Sequence, residues 1–183
     1  MLYTIGHAAH PIEPFLSLLR DATITVVADV RSVPYSGFAP QYNAPALGRA
    51  LAAAGIRYVE MGDALGGRPQ AFAEQDADGH ARYDVIAATP RFATGLARLR
   101  AGTARHRIAL LCSEEDPARC HRHLLIGRVL RETGVELTHL RGDGRQESDR
   151  VVAKRTAPQH DLFTSPGPGS PPWRSPGPVP LAR

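Results

Sequence analysis

The sequence predicts a single three-layer α/β domain over residues 1–150, with a mostly parallel sheet of about five strands, followed by a Pro-rich tail over residues 151–183. Short apolar runs alternate with amphipathic segments along the chain, which is the pattern of βαβ units. The run at residues 25–30 is almost continuously apolar, as expected for a strand that is buried on both faces. A chain of 183 residues is also long enough for one domain with a hydrophobic core.

The predicted strands are short aliphatic and β-branched runs. They cover residues 2–5, 25–30, 56–61, 107–111 and 135–140. The predicted helices carry apolar side chains at helical spacing. They cover residues 11–21, 45–54, a segment that begins at Thr89-Pro90, and 116–133. Gly and Pro residues predict loops over 31–44 and over the long segment 62–88, and a loop of that length is often functional.

The composition and the N-terminal residues indicate where the protein is expected and what kind of ligand suits it. The chain has a formal net charge of +4 and two cysteines, with no apolar run of about 18 residues. The N-terminus lacks the basic and apolar pattern of a secretory signal, so we expect a soluble protein in the reducing cytoplasm. The mild positive charge suits an anionic ligand without requiring nucleic acid. From Thr156 onward the chain contains eight of its 16 prolines, which predicts disorder there.

Polar residues follow the predicted strands at their carboxyl ends, where ligands bind to parallel α/β sheets. They are Gly6 and His7 after the first strand, Asp29 and Arg31 at the second, Cys112 and Glu114 at the fourth, Cys120, His121 and Arg122 near the start of the next helix, and His139 within the fifth strand with Arg141 after it. Five separate chain segments thus deliver chemically useful groups to one edge of the sheet. The coincidence predicts a site there.

Four of these residues are the candidate catalytic groups: Glu114, Cys112, His7 and His121. Glu114 is either a general base or nucleophile, or only an acidic residue at a helix N-terminus. Cys112 is either a nucleophile or a buried, inert thiol. The acidic residues that follow Cys112 argue against a phosphatase-like loop, because they would repel phosphate and raise the pKa of the thiol.

The candidate substrate-binding residues are Gly6, Asp29, Arg31, Ser36, Arg122 and His139. A guanidinium at a strand end binds carboxylate or phosphate well. The structural alternatives are an ion pair between Asp29 and Arg31 and a core hydrogen bond for His139. The spacing of Cys112 and Cys120-His121 is not that of a zinc finger, so no metal ligand is assigned, but three ligands from Cys112, Cys120 and a distant His remain geometrically possible. A G-x-G-x-x-G turn and a P-loop are both absent, so no cofactor is expected.

The motifs taken together resemble a known family. They are Thr4-Ile5-Gly6-His7, Asp29-Val30-Arg31 with Pro34 and Ser36, Leu65-Gly66-Gly67, Cys112-Ser113-Glu114 with Asp116-Pro117, Cys120-His121-Arg122, and His139. In this order they resemble the family called domain of unknown function 488, from Thr4 to about Gly142. The resemblance implies a compact α/β domain with a shared site, and it supplies no reaction. Ala8 and Gly37 stand where the family usually has Ser and Arg.

Three functions follow as hypotheses. The favoured one is a cofactor-independent enzyme that acts on a small polar or nucleotide-like anionic substrate. The second is a protein associated with nucleic acid through Arg31, Arg49, Arg57 and Arg68. The third is a metal or redox protein that uses Cys112 and Cys120. No membrane association is expected, and the sequence leaves the oligomeric state open.

Overall fold

A computed structural model describes residues 1–156 and 173–182. Its strands, numbered in chain order, are β1 (Leu2–Gly6), β2 (Val26–Asp29), β3 (Arg57–Glu60), β4 (His80–Arg82), β5 (Ile108–Cys112), β6 (Leu137–Leu140), β7 (Gln146–Ser148) and β8 (Arg174–Pro178). Six of them form the main sheet in the order β3-β2-β5-β1-β6-β7. All neighbours in this sheet are parallel except β6 and β7, and β4 pairs separately with β8 in antiparallel orientation.

Helices cover both faces of the main sheet. They are α1 (Ile12–Asp21), α2 (Ala44–Ala53), α3 (Gly62–Leu65), α4 (Tyr83–Ala87), α5 (Pro90–Thr103), α6 (Arg128–Glu132) and α7 (Asp149–Thr156). One apolar core contains side chains of α1 and α2, and a second core on the opposite face contains those of α3 to α6. The strands between them are buried on both sides, which explains their continuous apolar runs.

The predicted three-layer α/β class is therefore confirmed. The sheet has one strand more than expected, because β7 adds an antiparallel edge. This strand is only three residues long and polar, so it carries no periodicity that the sequence could reveal. Thr89 is confirmed as the cap of α5, where its side chain accepts a hydrogen bond from the backbone N–H of Phe92. No helix within the described part of the chain has the length and hydropathy needed to cross a membrane.

The prediction of one continuous helix over residues 116–133 is wrong. Asp116 caps only a 3₁₀ turn, Pro117–Arg119, and Cys120 is then extended (φ −121°, ψ 143°). A π-helical segment, Arg122–Gly127, follows and continues into α6. The extended residue and the wider turns allow the Cys120 thiol and the Arg122 guanidinium to face the sheet. π-Helical turns of this kind often occur at functional sites.

The long segment 62–88 is not the irregular loop that the sequence predicts. It contains α3, a 3₁₀ turn (Phe72–Glu74), β4 and α4, all of them too short to give a recognisable period. Strand β4 depends on a distant partner, since β8 lies more than 90 residues further along the chain. Of the tail, residues 157–172 and 183 lie outside the described part, so the expectation of disorder there stays a prediction. Residues 151–156 belong to α7, and residues 174–178 form β8.

The strand register brings the predicted site residues to one edge. Gly6 at the end of β1 pairs with Cys112 at the end of β5, and Asp29 at the end of β2 pairs with Leu111. The backbone N–H of His7 then donates to the carbonyl of Cys112 at 3.0 Å. The ends of β1, β2 and β5 are therefore level, and the loops that follow them meet above the sheet.

Candidate functional site

A pocket of about 280 Å³ opens at the carboxyl ends of β2 and β5. Its floor contains Cys112, Cys120 and His121, and its walls include Glu114 and Tyr83. Three arginines line it: Arg31, Arg68 and Arg119. The remaining wall comes from residues 176–180, in and just after β8. The C-terminal segment thus completes a pocket whose chemistry is supplied by the main domain.

The two thiols and the imidazole of His121 converge on the floor of this pocket. His121 Nδ1 lies 3.6 Å from Cys112 Sγ and 3.7 Å from Cys120 Sγ. The Cys112 thiol donates to Glu114 Oε2 at 2.8 Å, and the same oxygen lies 3.4 Å from Cys120 Sγ. Both cysteines are buried and neither forms a disulfide. Three of the four predicted catalytic residues, Glu114, Cys112 and His121, are therefore brought together.

The two thiols of this cluster differ in pKa. A hydrogen bond with Cys120, together with burial, raises the pKa of Cys112 well above its ordinary value. Burial also opposes ionisation of Cys120, but the hydrogen bond with Cys112 and the charges of Arg122 and His121 hold its pKa well below the ordinary value. Burial would lower the pKa of His121, and the negative charge of Cys120 raises it instead. Of the two thiols, Cys120 therefore has the lower pKa.

Arg122 organises the cluster from below and does not line the pocket. Its side chain is completely buried. The Nε–H group donates to Cys120 Sγ at 3.2 Å, Nη1 to Thr4 Oγ1 at 3.0 Å, and Nη2 to the carbonyl of Glu114 at 2.5 Å. Gly6 belongs to the same arrangement, because a Cβ atom there would lie 1.8 Å from the Glu114 carbonyl oxygen. Both residues were predicted to bind substrate, and the structure places them as supports of the loop that carries Glu114.

Asp29 and Arg31 form a buried, bidentate ion pair. Arg31 donates from Nε to Oδ1 at 2.8 Å and from Nη2 to Oδ2 at 2.5 Å. The hydroxyl of Tyr58 donates to Asp29 Oδ2 at 2.7 Å, and Arg31 Nη2 also donates to the carbonyl of Tyr42. The structural alternative for Asp29 is thus the one observed. Arg31 contributes to the pocket wall with a charge that Asp29 already balances.

The remaining predicted residues lie outside the pocket. The ring of His7 stacks on Tyr42 at 4.2 Å between centroids, and burial together with the charge of Arg31 lowers its pKa to about 4. It is therefore neutral near neutral pH. The hydroxyl of Ser36 accepts from the backbone N–H of Phe38 in the loop after β2. Neither residue contacts the thiol cluster.

His139 belongs to a second buried polar cluster. Its Nδ1 atom lies 2.7 Å from Thr4 Oγ1, and its Nε2 atom lies 3.1 Å from Asp149 Oδ1. Asp149 also contacts His123 and Arg131. The core hydrogen bond considered for His139 is thus the one observed, in a network that joins β1, β6 and the start of α7.

Sequence reasoning missed several pocket residues. Cys120 was absent from the predicted site, although its neighbour His121 was included. Arg68 had been considered only for nucleic acid, and Arg119 only as the arginine of a phosphatase-like loop, which its spacing from Cys112 argues against. Tyr83 and residues 176–180 were not considered as a site. The Leu65-Gly66-Gly67 motif was the available signal for part of this wall. Gly67 lies against His121, so close approach of the backbone is what the glycine permits.

The fold and the pocket together describe a three-layer α/β protein with a candidate site of cysteine, histidine and glutamate at the carboxyl ends of its parallel strands. Comparison with protein-family profiles matches residues 11–129 to the family described as domain of unknown function DUF488. The chain therefore belongs to that family, as its motifs predicted. Comparisons with curated proteins and with solved structures each find no match.

Proposed function

We propose that this protein is an enzyme that acts on a small, polar, anionic substrate of nucleotide-like chemistry, in a reducing compartment such as the cytoplasm. The observation that carries the proposal is the convergence of Cys112, Glu114, Cys120 and His121 on the floor of one open pocket. Two thiols, a carboxylate and an imidazole supply nucleophilic and proton-transfer groups within hydrogen-bonding reach of each other. The two free cysteines support a reducing compartment.

The pocket walls support an anionic substrate. Within the described residues, no carboxylate forms an ion pair with Arg68 or Arg119, whereas the charge of Arg31 is balanced by Asp29. Two available guanidinium groups at the wall suit a phosphate or carboxylate group. The volume of about 280 Å³ is at the small end for ligand pockets, which favours a metabolite over a polymer.

Glu114 is the proposed proton-transfer group of the site. Unlike the two thiols, it is exposed to solvent, and its carboxylate oxygen reaches the Cys112 sulfur from the pocket side. A substrate held by Arg68 and Arg119 would therefore meet this carboxylate first. Below it lies Cys120, the thiol with the lower pKa of the two.

A ligand screen by thermal shift tests the proposal. Nucleoside monophosphates, sugar phosphates and dicarboxylates are compared with their uncharged analogues. We expect at least one anionic set to raise the melting temperature of the wild-type protein, and this shift to disappear in Arg68→Gln and Arg119→Gln. Arg57→Gln, on the exposed start of β3, is the matched control and keeps the shift. Equal shifts in all four proteins would refute an anion site in this pocket.

A further inference from the structure

The floor of the pocket has the arrangement of a metal site. Cys112 Sγ, Cys120 Sγ and a ring nitrogen of His121 all lie within 4.8 Å of each other. We propose that these three side chains bind a divalent zinc ion with tetrahedral geometry and leave the fourth position open to the pocket. The sequence raised Cys112 and Cys120 as a metal or redox pair but assigned no ligand, because their spacing along the chain is unusual; the folded chain adds His121 and the geometry.

The distances support zinc. Zn–S bonds of about 2.3 Å and Zn–N bonds of about 2.0–2.1 Å at a tetrahedral angle place sulfur and nitrogen about 3.6 Å apart. The observed separations from His121 Nδ1 are 3.6 Å to Cys112 Sγ and 3.7 Å to Cys120 Sγ. Both sulfur–nitrogen separations therefore match those expected around a bound zinc ion. Soft thiolates with an imidazole are also the donor set that zinc prefers.

The hydrogen bonds around the three proposed ligands are also those expected at a metal site. His121 Nε2 lies 3.1 Å from the carbonyl oxygen of Val30, so an Nε2–H donor there leaves Nδ1 free to bind a metal. Cys120 Sγ accepts hydrogen bonds from the backbone N–H and Nε–H groups of Arg122. Metal-bound thiolates and imidazoles are commonly oriented by such outer contacts. Gly67 packs directly against the His121 ring, and no larger residue fits there.

The charges around the site also balance. Two thiolates and the Glu114 carboxylate carry three negative charges, and a divalent ion with the Arg122 guanidinium carries three positive ones. Zinc would bind Cys112 as a thiolate and His121 through an unprotonated Nδ1, so its binding would release the thiol proton that now forms the hydrogen bond to Glu114 Oε2. The carboxylate is then free to accept a proton from a water molecule in the fourth position. Three protein ligands with an open position characterise catalytic zinc sites, so this inference deepens the proposed function and rests on it for the role of Glu114.

The second buried cluster differs from this site. His123, His139 and Asp149 also lie within 4.8 Å of each other. Their polar atoms are already paired, because Asp149 contacts Arg131 and both histidines, and His139 also contacts Thr4. Of its three residues only Asp149 lines a pocket, a separate one of about 200 Å³, and none lines the pocket above Cys112. The thiol cluster is therefore the one assigned to zinc.

Metal analysis of the purified protein tests the assignment. We expect about one zinc per chain, and loss of the metal in Cys112→Ser and in Cys120→Ser. His106→Ala, in the segment before β5, is the matched control and retains it. In the wild-type apoprotein, cobalt(II) should give the intense sulfur-to-metal charge-transfer band and the visible bands of tetrahedral coordination. Absence of both zinc and the cobalt bands, or zinc that persists in both serine variants, would overturn the proposal.

Two further measurements separate the possible failures. If the serine variants do not fold, alkylation of the wild-type protein is the alternative test. Bound zinc should protect both thiols from the reagent. Equal alkylation with and without zinc would contradict the assignment. The ligand screen remains independent of metal content. Zinc binding without any anion-dependent thermal shift would uphold the metal site and refute the anion-binding function, whereas the reverse result would do the opposite.

Discussion

Gly67 packs so closely against His121 that a Cβ atom at position 67 would lie 2.6 Å from Cγ of the imidazole. The backbone that follows α3 therefore packs against His121, a candidate site residue from a different part of the chain. The contact joins the Leu65-Gly66-Gly67 motif to the Cys120-His121-Arg122 motif, two segments whose relationship the linear sequence does not reveal.

Gly67→Ala is accordingly expected to displace His121 and to lower zinc content and ligand-induced stabilisation, while the protein stays folded. The added methyl group must displace the imidazole, since the contact is shorter than real Cβ atoms tolerate, and the ring then loses its position beside the two sulfurs. Gly37→Ala is the matched control, because a Cβ atom there has no neighbour within 4 Å. Metal analysis and circular dichroism of both variants check this. Full zinc content in Gly67→Ala would contradict the assigned contact.

Glu114→Gln is expected to lower turnover by about 10²-fold or more, as loss of a general acid–base group does. The melting temperature should stay nearly unchanged, because Glu114 is exposed and the amide keeps its shape. Steady-state kinetics on the substrate found by the ligand screen, together with thermal unfolding, measure both quantities. Glu132→Gln, on the exposed surface of α6, controls for the loss of a charge. A large drop in melting temperature would instead mark Glu114 as a structural residue.

Arg122→Lys is expected to lower the free energy of unfolding by about 2–3 kcal/mol although the charge is kept. An ammonium group cannot contact Thr4 Oγ1, Cys120 Sγ and the Glu114 carbonyl at once, as the guanidinium does. Urea unfolding of the variant measures the loss. Arg150→Lys, on an exposed turn of α7, should leave stability unchanged. If Arg122→Lys were as stable as Arg150→Lys and the wild type, only the charge of Arg122 would matter to stability.

Asp149→Asn is expected to destabilise the fold by about 3–5 kcal/mol near pH 7, because it breaks a buried ion network. Burial alone would raise the pKa of Asp149, but its contacts with His123 and His139 and the charge of Arg131 hold it well below the ordinary value. Its contribution is thus present above the unfolded pKa of about 3.9 and is lost as the pH falls through the lower, folded pKa.

The difference between wild type and Asp149→Asn should therefore shrink under acidic conditions. Urea unfolding near pH 7 and at a series of pH values below about 4 measures it. Asp143→Asn, whose carboxylate is exposed and pairs only with Arg145, serves as the control and should change little at either pH. A difference that does not depend on pH would argue that Asp149 acts through packing and not through its charge.

Much of the candidate site could be predicted from residues that directly follow apolar strands. Cys112 and Glu114 follow β5, and parallel pairing necessarily brings the ends of neighbouring strands together. His7, Gly6 and Arg122 were also found by this reasoning, but their roles were not. Whether a polar residue at a strand end faces a pocket or supports a loop depends on packing from other elements, and Arg122 is completely buried beneath the site.

The sequence by itself determined the layered α/β fold, because apolar periodicity and strand–helix alternation are local properties of the chain. It also determined which edge of the sheet carries the polar groups. Only the tertiary structure decided that the segment after Asp116 breaks at Cys120, and that β8 closes the pocket from the far end of the chain. Both depend on contacts between residues distant in sequence: a thiol turned toward Cys112, and a strand that pairs with β4. Such contacts leave no periodic signal, so the cysteine–histidine site emerged only once the chain was folded.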